Sequence, residues 1–227
     1  MEFGLIDTFT DFAVTSQYSV STQLRHFEGL YHMFEYLRNH DMSRVVFDTF
    51  QQKVEESTFV LGMVYRKNFH GDIKEYLLLG MPKPLGESAH TTCFVDADHS
   101  VRIVTWIFHT YVLRYVMNAP IIWFSKNQSN VDSRTFGSEL VAMRITRDII
   151  VALHYKLRIF GVTLDGSSTV MCDDQGEVNN TSLPKSTLVT KQNAVNYHVV
   201  HEATAAGILI VGKEDTDTNL ADLLKKI

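Results

Sequence analysis

The chain has 227 residues, 45% hydrophobic and 21% charged. This composition excludes a disordered or fibrous protein and leaves room for one sizeable core plus an appendage. A net charge of -5 and a pI near 6.0 exclude bulk attraction to a polyanion, so any nucleic-acid binding must be local.

Only Cys93 and Cys172 occur, no charged leader with an apolar core opens the sequence, and no apolar run approaches the ~20 residues of a membrane span. The expectation is a reducing, intracellular compartment, no membrane association, and buried thiols rather than a disulfide.

In chain order, Leu24, Phe27, Leu30, Tyr31, Phe34 and Leu37 recur at helical spacing, which predicts an amphipathic helix from Ser21 to His40 with Ser21 or Thr22 as its cap. Arg44 to Phe50 reads as a strand. Gly71 to Ala89 carries glycines and prolines without periodicity and reads as a linker. These parts make residues 1–88 a helical connector and residues 89–227 a separate α/β domain.

That domain opens with a short strand, Thr92 to Val95, ending in Asp96. Strands follow within Val101 to Met117 and at Ala119 to Ser125, then a polar connection at Asn127 to Asp132. A long helix is predicted from Gly137 to Arg158, with Glu139 in its first turn. Ser168 to Cys172 is a strand ending in Asp173. After a polar bend come a helix from Gln192 to Ala206, a strand at Ile208 to Val211 and a terminal helix from Asn219. The predicted fold class is α/β, a mixed sheet of five strands, the first three antiparallel, flanked by helices.

Asp96, Glu139, Asp173 and Asp222 therefore occupy element ends, where a fold can converge them. Carboxylates gathered in a low-dielectric site repel one another and need divalent cations, Mg2+ above all, to neutralise them. Two such ions about 4 Å apart can activate water and stabilise the leaving oxygen of a phosphodiester. Aspartates at strand ends and a glutamate in a first helical turn also arise for turn and dipole reasons alone.

The strings TTCFVDADHS, APIIWFSKNQ, FGSELVAMR, MCDDQGE, NAVNYHVVHEA and NLADLLKKI occur in that order. Together they resemble the ribonuclease H region that closes copia-type LTR retrotransposon Pol polyproteins. Upstream, DFAVTSQYSVSTQLRHFEGLYHMFEYLRNH is similar to the segment joining that family's reverse transcriptase to its ribonuclease H. The resemblance implies a ribonuclease H-like fold and hydrolysis of the RNA strand of RNA/DNA hybrids. It implies two Mg2+ ions, with Mn2+ as a substitute, held by Asp96 of DAD, Glu139 of GSELVA, Asp173 of CDDQ and Asp222 of NLADLLKK. It further implies the reverse transcriptase portion of the same polyprotein as a partner, and a cytoplasmic virus-like particle with nuclear access as the location.

The sequence departs from the family where WIFHTYV, Trp106 to Val112, replaces a basic, glycine-containing stretch of the kind RRSxTGY. The lost cations weaken phosphate contacts, and Trp106, Ile107 and Phe108 must either expose apolar surface or repack. The alternative function is thus a catalytically degenerate domain that binds nucleic acid or protein.

His198 and His201 share a helix face, but residue 205 is alanine, so no HExxH zinc motif is completed and packing roles are expected. Lys126, Arg134, Arg144, Arg147, Lys156 and Arg158 form a local basic run around the long helix, which a duplex backbone or plain solvation would explain. Asp98, Asp165 and Asp174 stand near the proposed ligands or loops, where an added charge raises a neighbour's pKa.

Overall fold

A computed structural model describes residues 23–40, 79–99, 107–131, 135–183 and 193–224, together with Thr15, Phe50, Val54, Thr58 and Phe59. The expected Arg44 to Phe50 strand lies outside them except for Phe50, and so do Ser21, Thr22, Trp106 and Arg134.

Helix α1 spans Leu24–Asn39, and its N-cap is Gln23, whose backbone N–H donates to His26 Nδ1 at 2.9 Å. Its apolar residues Leu24, Phe27, Tyr31 and Phe34 are exposed.

The central sheet uses β2 (Thr91–His99), β3 (Ile107–Val116), β4 (Ala119–Val131), β6 (Ser168–Cys172) and β7 (Leu209–Lys213), in the order β4-β3-β2-β6-β7. β2, β3 and β4 pair antiparallel, while β6 and β7 run parallel to β2. This is the five-stranded mixed sheet with three leading antiparallel strands that the ribonuclease H resemblance implies. The hairpin between β3 and β4 turns at Met117 and Asn118, with Met117 at φ 55, a left-handed conformation suited to a tight hairpin.

Two layers cover the sheet. Helix α2 (Thr135–Ile159) and helix α4 (Ala194–Ala205) share one core with the sheet, in which Cys93, Val95, Val112, Ala142, Met143, Ile150, Val170, Val200 and Leu209 interlock. A closing 3-10 turn, Leu220–Leu224, covers Phe94, Tyr111, Leu113 and Met171 on the opposite face. Strand alternation separates Cys93 and Val95 from Phe94 and Asp96, so the strand feeds both layers.

Several elements depart from expectation. The supposed linker contains β1 (Leu85–Ala89), paired parallel with β5 (Val162–Leu164). Gly161, at φ 76, ends α2, and its carbonyl accepts the Leu85 N–H at 2.6 Å. Asp96 lies within β2 rather than beyond it, because β2 continues in register with β3 to His99↔Phe108. The polar stretch after Ser125 continues β4, where the Gln128 amide donates to Thr110 Oγ1 at 3.0 Å and Ser138 O at 2.8 Å. The polar bend after Asp173 folds as helix α3 (Gln175–Ser182). The terminal helix is one 3-10 turn.

The start of β6 carries a buried polar group. Arg114, 0% exposed, reaches Ser168 Oγ at 3.4 Å, and Ser168 also bonds His154 Nε2 at 2.7 Å and the Thr91 hydroxyl. Cys93 and Cys172 are free, buried thiols, as expected.

Candidate metal centre

Parallel pairing of β2 with β6 decides which carboxylates meet. Phe94 sits opposite Met171, so two residues further on Asp96, within β2, comes level with Asp173, just past the end of β6. Helix α2 passes this end and adds Glu139. One ligand oxygen from each of Asp96, Glu139 and Asp173 lies within 4.8 Å of the others. Because α2 begins at Thr135, Glu139 belongs to its second turn, so packing across the sheet rather than a cap or dipole role holds it there.

Asp96 and Glu139 are buried, and Glu139 Oε2 has no hydrogen-bond donor among the described residues. Burial first, then the charges of Glu177, Asp96, Asp173 and Asp174, push the Glu139 carboxyl well above the usual carboxylate range. Asp173 is the more accessible member. Thr216 Oγ1 donates to its Oδ2 at 3.1 Å, and Lys213 Nζ donates to its carbonyl at 2.6 Å.

Asp222 is buried in the closing turn and is not part of that three-carboxylate group. It lies close by: the Asn219 side chain donates to Val95 O at 3.1 Å, docking the turn beside Asp96. Burial, then the charges of Asp98, Asp96 and Asp222, push the Tyr111 hydroxyl up to about 12.

Among the other residues singled out in the sequence, Asp174 caps α3, accepting from Gly176 N–H at 2.6 Å and Glu177 N–H at 3.3 Å. His201 bonds Leu183 O at 3.2 Å and stacks on Tyr197, a packing role. Arg144 donates to Asn196 Oδ1 at 2.9 Å, and Arg147 pairs with Asp148 at 2.9 Å. In the stretch replacing the basic motif, Phe108, His109, Tyr111 and Val112 are buried, so it repacks where its side chains are described. His109 bonds Ser125 Oγ at 2.8 Å, and burial lowers its pKa.

The sequence reading missed Glu177, a fully buried carboxylate that shifts Glu139 more than any other charge does. It stands four residues after Asp173, on the helix that follows it, and that proximity in sequence was the available signal.

No protein-family model and no curated protein matches the chain. Among solved structures it is similar to an N-terminal RNase H domain from Mycobacterium tuberculosis, with TM-score 0.47 and 11% identity over 60% of this chain and 91% of that one. It is similar in the same way to LC11-RNase H1, isolated from compost, with TM-score 0.47 and 12% identity over 60% and 91%. A foamy viral protease-reverse transcriptase in complex with RNA/DNA hybrid aligns over 90% of this chain and 26% of its own, with TM-score 0.39 and 13% identity.

The donor set is all carboxylate oxygen, the choice of hard divalent cations such as Mg2+ and Mn2+. The orphaned Glu139 Oε2 and the mutual repulsion are what a cation placed among these oxygens would relieve. The residues fit such an ion.

Proposed function

We propose that the chain is a divalent-metal-dependent ribonuclease H acting on the RNA strand of RNA/DNA hybrids. The observation that carries this reading is the convergence of Asp96, Glu139 and Asp173 within 4.8 Å where the middle of β2 meets the end of β6. Their order along the chain is that of the motifs resembling the copia-type polyprotein. On the same reading, residues 1–88 are the end of a reverse transcriptase connector, residues 89–227 the nuclease, and the polymerase portion its partner in a virus-like particle.

Asp96, Glu139 and Asp173 would hold the ions, and Asp222, docked beside Asp96 by Asn219, would complete the second position. The bound ions supply Lewis-acid polarisation of the scissile phosphate and activation of water. The chain's own contribution is orientation. Thr216 fixes one oxygen of Asp173, and Asp96 is held in the central strand of the sheet, paired opposite Tyr111 of β3. An A-form hybrid would be recognised by shape and 2′-hydroxyl groups, so no base-reading side chains are required.

The repacked stretch in β3 favours a second reading. Its described side chains are turned into the core and leave no cation there for a phosphate, as in a domain that binds metal without cutting. Cleavage of a labelled RNA/DNA hybrid by the full chain, with Mg2+ and separately with Mn2+, decides between them. Cutting that Asp96→Asn and Asp173→Asn both abolish supports the nuclease. Metal binding by folded protein without cutting supports the degenerate domain.

A further inference from the structure

The stretch that replaces the basic motif puts two rings, those of His109 and Tyr111, on one face of β3. Tyr111 pairs directly opposite Asp96 in the antiparallel register, so the two side chains are neighbours on that face. Tyr111 is 6% exposed and packs in the same cluster as Phe94, Leu113, Ala221 and Leu224. Ala221 and Leu224 belong to the closing turn and bracket Asp222. The Tyr111 ring therefore has a member of the three-carboxylate group beside it and, packed over the same face, the turn that carries Asp222.

The plane of this ring is braced. His109 stacks on it with centroids 4.9 Å apart and planes at 19°, and His109 is bonded in turn to Ser125 Oγ of β4 at 2.8 Å. The closing turn has little to orient it from within, because a 3-10 segment of five residues makes few hydrogen bonds of its own. Its direction is set by what it rests on. Asn219 fixes where the turn begins, by its bond to Val95 O at 3.1 Å, and the cluster around Tyr111 fixes how the buried Ala221 and Leu224 lie.

We propose that Tyr111 is a positioning residue of the metal centre: braced by His109, its ring seats the closing turn so that Asp222 is presented beside Asp96. The inference rests on the metal-centre reading given above, with Asp222 as the fourth carboxylate. Tyr111 contributes no ligand atom and acts through Asp222. It is the ring, not the hydroxyl, that does this, so phenylalanine serves in its place and an aliphatic side chain does not. The stretch that replaces the basic motif then supplies the support behind the centre.

The test is hydrogen exchange across Leu220–Leu224 of the full chain, with and without Mg2+, beside a calorimetric Mg2+ titration of the same proteins. In the parent protein Mg2+ should slow exchange in the turn, because the ion pins Asp222. In Tyr111→Leu exchange there should quicken about tenfold or more, and Mg2+ should no longer slow it, while the heat of Mg2+ binding to Asp96, Glu139 and Asp173 persists. Tyr111→Phe should behave as the parent does. A Tyr111→Leu protein whose turn Mg2+ still protects, or one in which turn and sheet loosen alike, overturns the proposal, as does a parent turn that Mg2+ leaves unchanged. Mg2+ binding that survives both Asp96→Asn and Asp173→Asn overturns the metal centre itself, whatever the turn does. Should Tyr111→Leu fail to fold, His109→Gln removes the brace and leaves the ring in place. Weakened protection by Mg2+ then upholds the proposal and unchanged protection overturns it.

Discussion

Removing one charge from the Asp96, Glu139 and Asp173 group should stabilise the metal-free protein. At a 4.8 Å separation and an effective dielectric near 20, two unit charges repel by about 3.5 kcal/mol. Protonation of Glu139, whose carboxyl is held well above the usual range, relieves the pairs it takes part in and leaves Asp96 with Asp173. Solvent at the half-buried Asp173 screens that pair further. Asp96→Asn, which preserves side-chain shape, is therefore expected to add about 1–3 kcal/mol at about pH 8, or roughly 3–10 °C in Tm for a chain of this length. The assay is scanning calorimetry with chelator and with saturating Mn2+, at about pH 8 and about pH 4. The gain should shrink at the lower pH, where more of the carboxylate charge is neutralised, and the Tm rise produced by metal should shrink with the lost ligand. A lower metal-free Tm at about pH 8, or the same shift at both pH values, would refute the reasoning.

Glu139 and Glu177 are both raised above 4.5 by burial first and neighbouring carboxylates second, so the folded state keeps protons that the unfolded state releases. Their stabilising effect is complete below the usual carboxylate pKa and is lost as pH climbs through the raised values; metal-free Tm should fall from about pH 5 upward, and divalent metal should cancel the fall. Burial pushes Cys93 up to about 11 and Cys172 well above its ordinary value, so neither thiol should react with a thiol reagent at neutral pH until the protein is denatured; rapid labelling of native protein would contradict this. Asn219→Ala removes the bond to Val95 O at 3.1 Å and the acceptor for Ala221 N–H at 3.0 Å, and should cost about 1–3 kcal/mol. Hydrogen exchange across the closing turn should then quicken, and unchanged protection would show that the turn is anchored elsewhere.

The elements readable from sequence are those whose apolar pattern agrees with their burial. Ser168 to Cys172 is buried at every position and appears in the sequence as a short apolar run between polar bends. Helix α2 announces itself by its stripe. Helix α3 does not: QGEVNNTS has little apolar periodicity, and it folds because Asp174 caps it and Glu177, Val178 and Thr181 are buried. β1 and β5 are also silent, since they are short, and β1 is exposed at every position but Ala89. The second half of β4 looks like a loop because its side chains are polar, yet Gln128 finds buried partners on β3 and α2 that make strand pairing acceptable.

The site divides along the same line. Asp96 and Asp173 are legible because each follows an apolar strand core, and one fact absent from the sequence, parallel pairing of those strands, makes them neighbours. Glu139 is legible only through its motif, since its position on α2 has no cap or dipole signature. Asp222 follows from its motif too, but where it sits depends on Asn219, a side chain that carries no chemistry of its own. Glu177 shows the limit: on a polar helix, a surface glutamate and a fully buried one are the same letter. The distinction lies in what surrounds the carboxylate: neither oxygen of Glu177 has a hydrogen-bond donor among the described residues, and burial, then the charges of Asp174, Asp173 and Asp96, raise its pKa well above the usual range and favour the protonated acid.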